Sequence, residues 1–272
     1  MILFVFEGEK QEPRVFQTIK YLFFNHLPEK DIQVSYCSNI HSLYDEMEKM
    51  NIFDEDVADI VTLLRNHQRK NPKGDQSLIN ARNYKFSQKF LFFDYDIKRR
   101  QKQNKKSLKK QNEYISKMLN YFNDETNKGK LFINYPMIES IRYFKKLPDN
   151  NFYKYTSYVF LQRNFKKKAA KFSFYKDLRF IAFDYNNKTK EIKIPNDNNR
   201  IQSVKENWTY IRDLSVKKAN YICSRKNLVP IKKSDINQNR IFQNQQKYYV
   251  NTFLRRVAIL NAFPLFLYEF FK

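Results

Sequence analysis

The chain has 272 residues, of which 51 are basic and 28 acidic, and its formal net charge is +23. Aromatic residues make up 17% of the chain, which is too many for a disordered basic tail, because such tails lack the apolar surface that offsets the loss of chain entropy on folding. Length and composition therefore predict a folded protein of one large or two small domains. A surface this basic attracts polyanions, and nucleic acid is the partner that we expect.

Scarce residues exclude several kinds of site. The three glycines, Gly8, Gly74 and Gly129, lie far apart, which rules out the glycine-rich phosphate loops of nucleotide-binding proteins and the GxSxG nucleophile elbow. The histidines and cysteines have no zinc-type spacing, and two distant cysteines fit a reducing cytosol. No stretch has the form of a signal peptide or a membrane span, so we expect a soluble, cytoplasmic protein with no membrane partner.

The first 150 residues alternate between short apolar runs and amphipathic helices. Apolar runs predict strands at residues 2–6, 32–36, 90–93 and 131–133. Helical spacing of apolar residues predicts the intervening helices, which lie after Pro13, at 41–50, at 54–65, at 114–122 and after Pro136. Strands separated by helices predict an α/β fold, with a four-stranded parallel sheet flanked by helices on both faces.

Residues 151–272 are predicted to form a helix-rich C-terminal region, with a domain boundary near residues 149–151. A small hairpin is expected between residues 180–183 and 191–194. Helical patterns follow at 201–221 and from Asp235 to the end, where the apolar segment 257–268 is predicted to be a buried C-terminal helix.

Acidic residues follow three of the predicted strands. Glu7 follows the first strand, Asp94 and Asp96 the third, and Glu139 the fourth, while Glu12 begins the first helix. Ligands bind at the carboxyl ends of the strands in open parallel sheets. Carboxylates this close would repel one another unless a divalent cation neutralised them, and hard oxygen ligands favour Mg²⁺ or Mn²⁺ over zinc. The alternative is that these acids only end strands in turns, since an Asp-x-Asp sequence is common by chance.

Two segments resemble the motifs of Toprim domains. Residues 4–9, Phe-Val-Phe-Glu-Gly-Glu, resemble the first motif, an apolar strand that ends in Glu-Gly. Residues 92–96, Phe-Phe-Asp-Tyr-Asp, resemble the second motif, a strand followed by Asp-x-Asp. The longer string 7–13 is similar to the opening of RloB-like Toprim proteins and of Toprim nucleases of the OLD (overcoming lysogenization defect) type. The resemblance covers roughly residues 1–150.

This resemblance implies a Toprim-like catalytic domain over residues 1–150. Its metal-binding positions correspond to Glu7, Asp94 and Asp96, with Glu12 matching a second glutamate of the nuclease branch and Glu139 an acidic segment after the fourth strand. The separation of 87 residues between Glu7 and Asp94 exceeds the usual Toprim spacing and implies a helical insertion around residues 41–85. Glu7 or a lysine such as Lys10 would transfer the proton, and the sequence does not decide between them.

Two basic clusters are candidates for phosphate contacts. Eight of the thirteen residues from Lys98 to Lys110 are basic, directly after the Asp-x-Asp motif. The residues that we assign to nucleic-acid binding are Lys10, Lys98, Arg99, Arg100, Lys102, Lys105, Lys106, Arg163, Lys166, Lys167 and Lys168. Such a charge run is also typical of a solvated loop, which is the alternative interpretation.

These features predict a divalent-metal-dependent nuclease that cleaves phosphodiester bonds in DNA or RNA, with Mg²⁺ or Mn²⁺ as its cofactor. The resemblance implies a role in antiphage defence by abortive infection. One alternative is a non-catalytic nucleic-acid-binding protein with structural acids. Another is an effector that stays silent until a partner ATPase releases it, since the chain has no phosphate loop of its own; a homo-oligomer is a further expected form.

Overall fold

A computed structural model describes all residues except 29–30, 38, 56–57, 73, 81–84, 96, 98–107, 160–161, 176, 225–235, 252, 254 and 272, and it gives no side chains at 54–55, 80 and 162–163. In the order of the chain, the elements up to Asn134 are β1 (Ile2–Phe6), α1 (Gln11–Phe23), β2 (Ile32–Tyr36), α2 (Ile40–Lys49), α3 (Ile52–Glu55), α4 (Ile60–Lys70), α5 (Ser77–Asn80), β3 (Gln88–Asp94), α6 (Leu108–Tyr121), β4 (Asn123–Asp124) and β5 (Gly129–Asn134).

The later part of the chain is richer in short turns. Its elements are 3-10 turns at Ile138–Arg142 and Phe152–Lys154, β6 (Thr156–Tyr158), α7 (Gln162–Phe172), a 3-10 turn at Leu178–Phe180, β7 (Asp184–Asn186), β8 (Glu191–Lys193), α8 (Asn198–Cys223), α9 (Gln238–Gln245), a π-helical turn at Gln246–Val250, β9 (Arg256–Ala258) and α10 (Ala262–Phe270). None of the helices in the described part of the chain is long and apolar enough to cross a membrane.

The main sheet has five strands in the order β2-β1-β3-β5-β4. β1 pairs in parallel with both β2 and β3, in a register that places Phe6 beside Tyr36 and Phe92. The two residues of β4 pair antiparallel with β5 at the edge. The predicted α/β class, with helices flanking the sheet, is confirmed. The sheet itself differs from the predicted four-stranded parallel sheet, because the short antiparallel β4 makes it a mixed sheet of five mostly parallel strands.

The sheet is held by aromatic side chains on adjacent strands. Phe6 and Phe92 lie 5.5 Å apart by ring centroid, and Phe92 stacks on Phe132 at 5.4 Å. Every residue of β1 is buried, so the strand is covered on both faces, as parallel strands are. An uninterrupted apolar run is therefore what the sequence must supply at these positions.

The chain divides into two compact units. The first consists of Met1–Glu9, Asn25–Phe93 and Arg100–Phe132, and the second of Lys10–Phe24, Asp94–Arg99 and Ile133–Lys272. In the second unit, the indole of the buried Trp208 donates to the carbonyl of Ile181 at 2.7 Å, and Phe24 packs against Phe270 with ring centroids 4.8 Å apart.

Some predicted elements differ in extent from those observed. The helix predicted at 54–65 is replaced by the short α3 and by α4, which starts at Ile60 because the Asp59 side chain accepts a hydrogen bond from the Thr62 N–H. The helix predicted after Pro136 is one 3-10 turn. The hairpin forms, but its first strand is β7, later than the predicted 180–183.

The predicted C-terminal helix at 257–268 is wrong at its start. Val257 lies in β9, which pairs antiparallel with β6, and the helix α10 begins only at Ala262. The Asn261 side chain caps α10, and Pro264 occupies its first turn, where a missing N–H costs nothing. Asn261 and Pro264 therefore mark the start of α10 and do not interrupt a longer helix.

Lys218 of α8 is fully buried in the second unit. Its Nζ donates hydrogen bonds to the carbonyls of Phe152 at 2.9 Å and Tyr155 at 2.6 Å. Burial holds the pKa of Lys218 well below its usual 10.5, and the charge of nearby Asp149 only partly opposes this. A neutral amine has two N–H groups, which match the two carbonyls.

We predict that Lys218→Met raises the melting temperature at neutral pH. Between the lowered pKa of the folded state and 10.5, Lys218 is protonated in the unfolded wild-type chain but neutral in the folded one. The stability of the wild type therefore rises with pH across this window. Met fills a similar volume without this cost, so the gain should shrink as the pH approaches 10.5. Thermal unfolding across this range, with the exposed Lys217→Met as control, tests the prediction; a variant that melts earlier than wild type at neutral pH would contradict it.

Candidate metal and nucleic-acid site

Asp94 and Asn134 end two neighbouring strands of the sheet, β3 and β5. Both side chains are buried, with 8% and 1% of their surface exposed. The Asn134 Nδ2 donates to the Asp94 Oδ1 at 3.0 Å, and its Oδ1 accepts from the Ala262 N–H at 2.9 Å, at the start of α10. The second bond fixes which side of the amide faces Asp94, so the Asp94 carboxylate is held in one place and receives a donor there.

Glu139 lies in the 3-10 turn that follows β5 and is 5% exposed. Its Oε1 forms an ion pair with the Lys166 Nζ of α7 at 3.3 Å. Its Oε2 is buried and has no hydrogen-bond partner among the described residues. A buried carboxylate oxygen without a partner is costly, and such atoms in native proteins are commonly satisfied by a bound ion or water. Glu139 is thus the acid whose surroundings point most directly to a ligand.

Glu7 lies between β1 and α1, and Glu12 lies in the first turn of α1. Glu12 is 5% exposed and sits in that turn, where a negative charge is stabilised by the helix dipole. Glu7 directly follows β1 and is half-buried, and its N–H donates to the carbonyl of Phe92 at 3.2 Å. Lys10 is exposed immediately before α1.

The predicted metal ligands are divided between the two units. Glu12, Asp94 and Glu139 belong to the second unit, and Glu7 to the first. Within the part of the chain that the structure describes, no three acidic, His or Cys side chains are grouped closely enough to hold a metal ion. Asp96 lies outside the described residues. The oxygen donors fit Mg²⁺ or Mn²⁺ in their chemistry, and the unpartnered Glu139 Oε2 is the atom that fits a cation best.

The second group of basic candidates lies on α7 and consists of Arg163, Lys166, Lys167 and Lys168; the structure describes all of these side chains except that of Arg163. Lys166 and Lys167 are exposed and Lys168 is half-buried. The other cluster, Lys98, Arg99, Arg100, Lys102, Lys105 and Lys106, lies outside the described residues. Its assignment to phosphate contacts stays a prediction.

Sequence reasoning missed the part played by Asn134. The residue ends an apolar strand run, and a polar amide at that position was the available signal. The pairing of Glu139 with Lys166 also had no sequence signal, because the two residues are 27 positions apart and meet only through the packing of α7 on the 3-10 turn.

Comparison with protein families, with curated proteins and with solved structures finds no match to this chain. The case for a function therefore rests on the residues described above.

We predict that Asn134→Asp destabilises the protein, increasingly as the pH rises from acidic to neutral. A second carboxylate beside Asp94 raises the pKa of the pair, so the folded chain binds more protons than the unfolded chain and stability falls as these protons are lost. Asn134→Ala, which removes the hydrogen bonds without adding charge, should cost about 1–3 kcal/mol with little change over the same range.

Denaturant unfolding of both variants without divalent cations, at acidic and neutral pH, measures this difference. Equal pH dependence of the two variants would show that residue 134 does not face Asp94.

Proposed function

We propose that this protein is a divalent-metal-dependent nuclease of the Toprim type, acting on phosphodiester bonds in DNA or RNA as an antiphage effector. The observation that carries the proposal is the burial of Asp94 and Glu139 at and after the ends of neighbouring strands, with Glu139 Oε2 lacking a partner. Buried carboxylates are normally paired, hydrogen-bonded or bound to a metal. The sheet order, with β1 between β2 and β3, is common among doubly wound α/β proteins and is compatible with the Toprim resemblance of the two motifs.

The chain's own residues have distinct parts in this proposal. Asp94 and Glu139 are the buried acids proposed to bind the metal. The resemblance alone implies Glu7, Glu12 and Asp96 as further ligands, since the described side chains do not bring three of these acids together. Asn134 orients the Asp94 carboxylate through its fixed amide. Lys166 balances one oxygen of Glu139 while its neighbour Lys167 stays exposed for phosphate. A bound divalent cation supplies polarisation of the phosphodiester and a water of lowered pKa.

The net charge of +23 supports a polyanionic substrate. Phosphate contacts position a nucleic acid without reading its sequence, so lysine-rich clusters suit a nuclease that must first hold its substrate. The basic surface by itself also fits a non-catalytic binding protein. Variants of the carboxylates, rather than variants of the lysines, therefore distinguish a nuclease from a non-catalytic binding protein.

We predict that Asp94→Asn and Glu139→Gln each abolish cleavage. Plasmid DNA, single strands and total RNA are incubated with each protein, with and without Mg²⁺ or Mn²⁺. Wild type should cut at least one substrate in a metal-dependent way, and both variants should remain folded and bind nucleic acid as well or better, because a negative charge has been removed. Asp213→Asn is the matched control, since Asp213 is exposed on α8 and pairs only with the adjacent Arg212 among its described contacts.

If the wild type cuts nothing, or if the variants cut normally once folded, the nuclease proposal is wrong. Binding that is unaffected by chelation, without any product, would instead support the non-catalytic binding protein.

We predict that the basic cluster after the Asp-x-Asp motif supplies phosphate contacts. Neutralising Lys98, Arg99, Arg100, Lys102, Lys105 and Lys106 together should lower the slope of log affinity against log salt by about five, at roughly 0.9 per duplex phosphate. Fluorescence anisotropy with duplex DNA over a salt series measures the slope. Neutralising Lys188 and Lys193 of the β7–β8 hairpin is the control and should leave it nearly unchanged; an unchanged slope in the main variant would identify a solvated loop.

A further inference from the structure

Tyr158 and Arg256 form a stack on the surface of the second unit. They are paired residues of the antiparallel strands β6 and β9, and the Arg256 guanidinium lies 4.6 Å from the centroid of the Tyr158 ring. The Tyr158 side chain is nevertheless 43% exposed. A cation over one face of an aromatic ring holds that ring in place and leaves its exposed surface available for a further flat group.

Arg256 has hydrogen-bonding capacity that the described residues do not use. Its Nε is buried and has no hydrogen-bond partner among them, and the same holds for the Arg142 Nε. Guanidinium groups are suited to phosphate, which they bind through several N–H donors in a fixed geometry. The Nε itself is buried, but the Arg256 side chain is only half-buried. The stacked pair therefore offers a flat ring for a base and, beside it, a positive charge for the phosphate.

Tyr158 precedes the basic helix α7, which begins at Gln162, by four residues. The positive charge of Arg256 lowers the pKa of Tyr143, against the larger rise caused by burial. Tyr143 in turn stacks on Phe165 and Phe172 of α7, with ring centroids 5.4 and 4.3 Å away. Tyr143 is therefore influenced by the charge of Arg256 and packs on the helix that carries the exposed Lys166 and Lys167.

Charge and exposed aromatic area coincide in this part of the chain. Residues 142–171 contain nine basic residues and one acidic residue. Two further exposed aromatic side chains are Phe174, 74% exposed, just after α7, and Phe253, 100% exposed, just before β9. Aromatic side chains among lysines and arginines favour nucleic acid over an apolar protein partner, because every base has a face to stack and every nucleotide has a phosphate.

We propose that the Tyr158–Arg256 stack binds an unpaired base, so that the protein selects single-stranded nucleic acid or unpaired loops. This rests on the nucleic-acid part of the function proposed above. A base inside a duplex has both faces covered by its neighbours, whereas an unpaired base can stack on the Tyr158 ring while its phosphate pairs with Arg256 and the α7 lysines. The stack thus supplies a preference for single strands that phosphate contacts alone do not give.

The test is binding without cleavage, in a chelator, by fluorescence anisotropy. The probes are a labelled oligothymidylate, an abasic strand of the same length and a duplex. Tyr158→Ala should weaken oligothymidylate binding roughly 5- to 150-fold, the range for loss of one stacked base, with little effect on the abasic strand or the duplex. Tyr158→Phe should retain wild-type affinity, since its ring still stacks.

Tyr210→Ala is the matched control, because Tyr210 is 45% exposed on α8. Equal affinity of wild type and Tyr158→Ala for oligothymidylate would overturn the inference, and so would an equal loss on the abasic strand. Neither result affects the nuclease proposal, which is decided separately by metal-dependent cleavage and the Asp94 and Glu139 variants.

Discussion

The hydrogen bonds of the Asn134 amide tie together the ends of β3 and β5 and the start of α10. One side of the amide donates to the buried Asp94 carboxylate and the other accepts from a backbone N–H, so neither can be lost without leaving a buried polar group unsatisfied. The constraint is local, but it fixes the buried carboxylate that ends β3, in the middle of the main sheet. The candidate metal site depends on this position.

The buried acids of this basic protein differ in how completely their oxygens are paired. The chain is rich in lysine, yet Glu139 forms an ion pair with Lys166 at 3.3 Å and its second oxygen has no described partner. A structural acid would be expected to satisfy both oxygens. By contrast, Asp149 is buried and accepts from the Lys145 and Asn151 N–H groups and from the Tyr155 hydroxyl, which is the pattern of a structural acid. The difference between Glu139 and Asp149 is what favours a ligand at Glu139.

The sequence predicted the sheet well because parallel strands buried on both faces need continuous apolar runs. Ile2–Phe6 and the run before Asp94 each became a strand at the expected place. Prediction from the sequence was less accurate where tertiary packing determines the secondary structure. β4 has two residues and no pattern of its own, and Val257 enters a strand because β6 is available to pair with it.

The candidate site was predictable in part for the same reason. Acids after apolar runs are visible in the sequence, so Asp94 and Glu139 are predictable as site residues. Their partners Asn134 and Lys166 were not, since a hydrogen bond or an ion pair between distant residues leaves no periodic signal. The Tyr158–Arg256 stack likewise depends on the pairing of β6 with β9, which no pattern in either strand specifies.

The most direct test of the central claim is anomalous diffraction from crystals of the full chain soaked in MnCl₂, collected on wild type and on Glu139→Gln. The account predicts an anomalous peak in the wild type within coordination distance of a carboxylate oxygen of Asp94 or Glu139, and its loss or marked weakening in the variant. A fully soaked crystal without a peak at these acids, or with one that persists unchanged in Glu139→Gln, would contradict it.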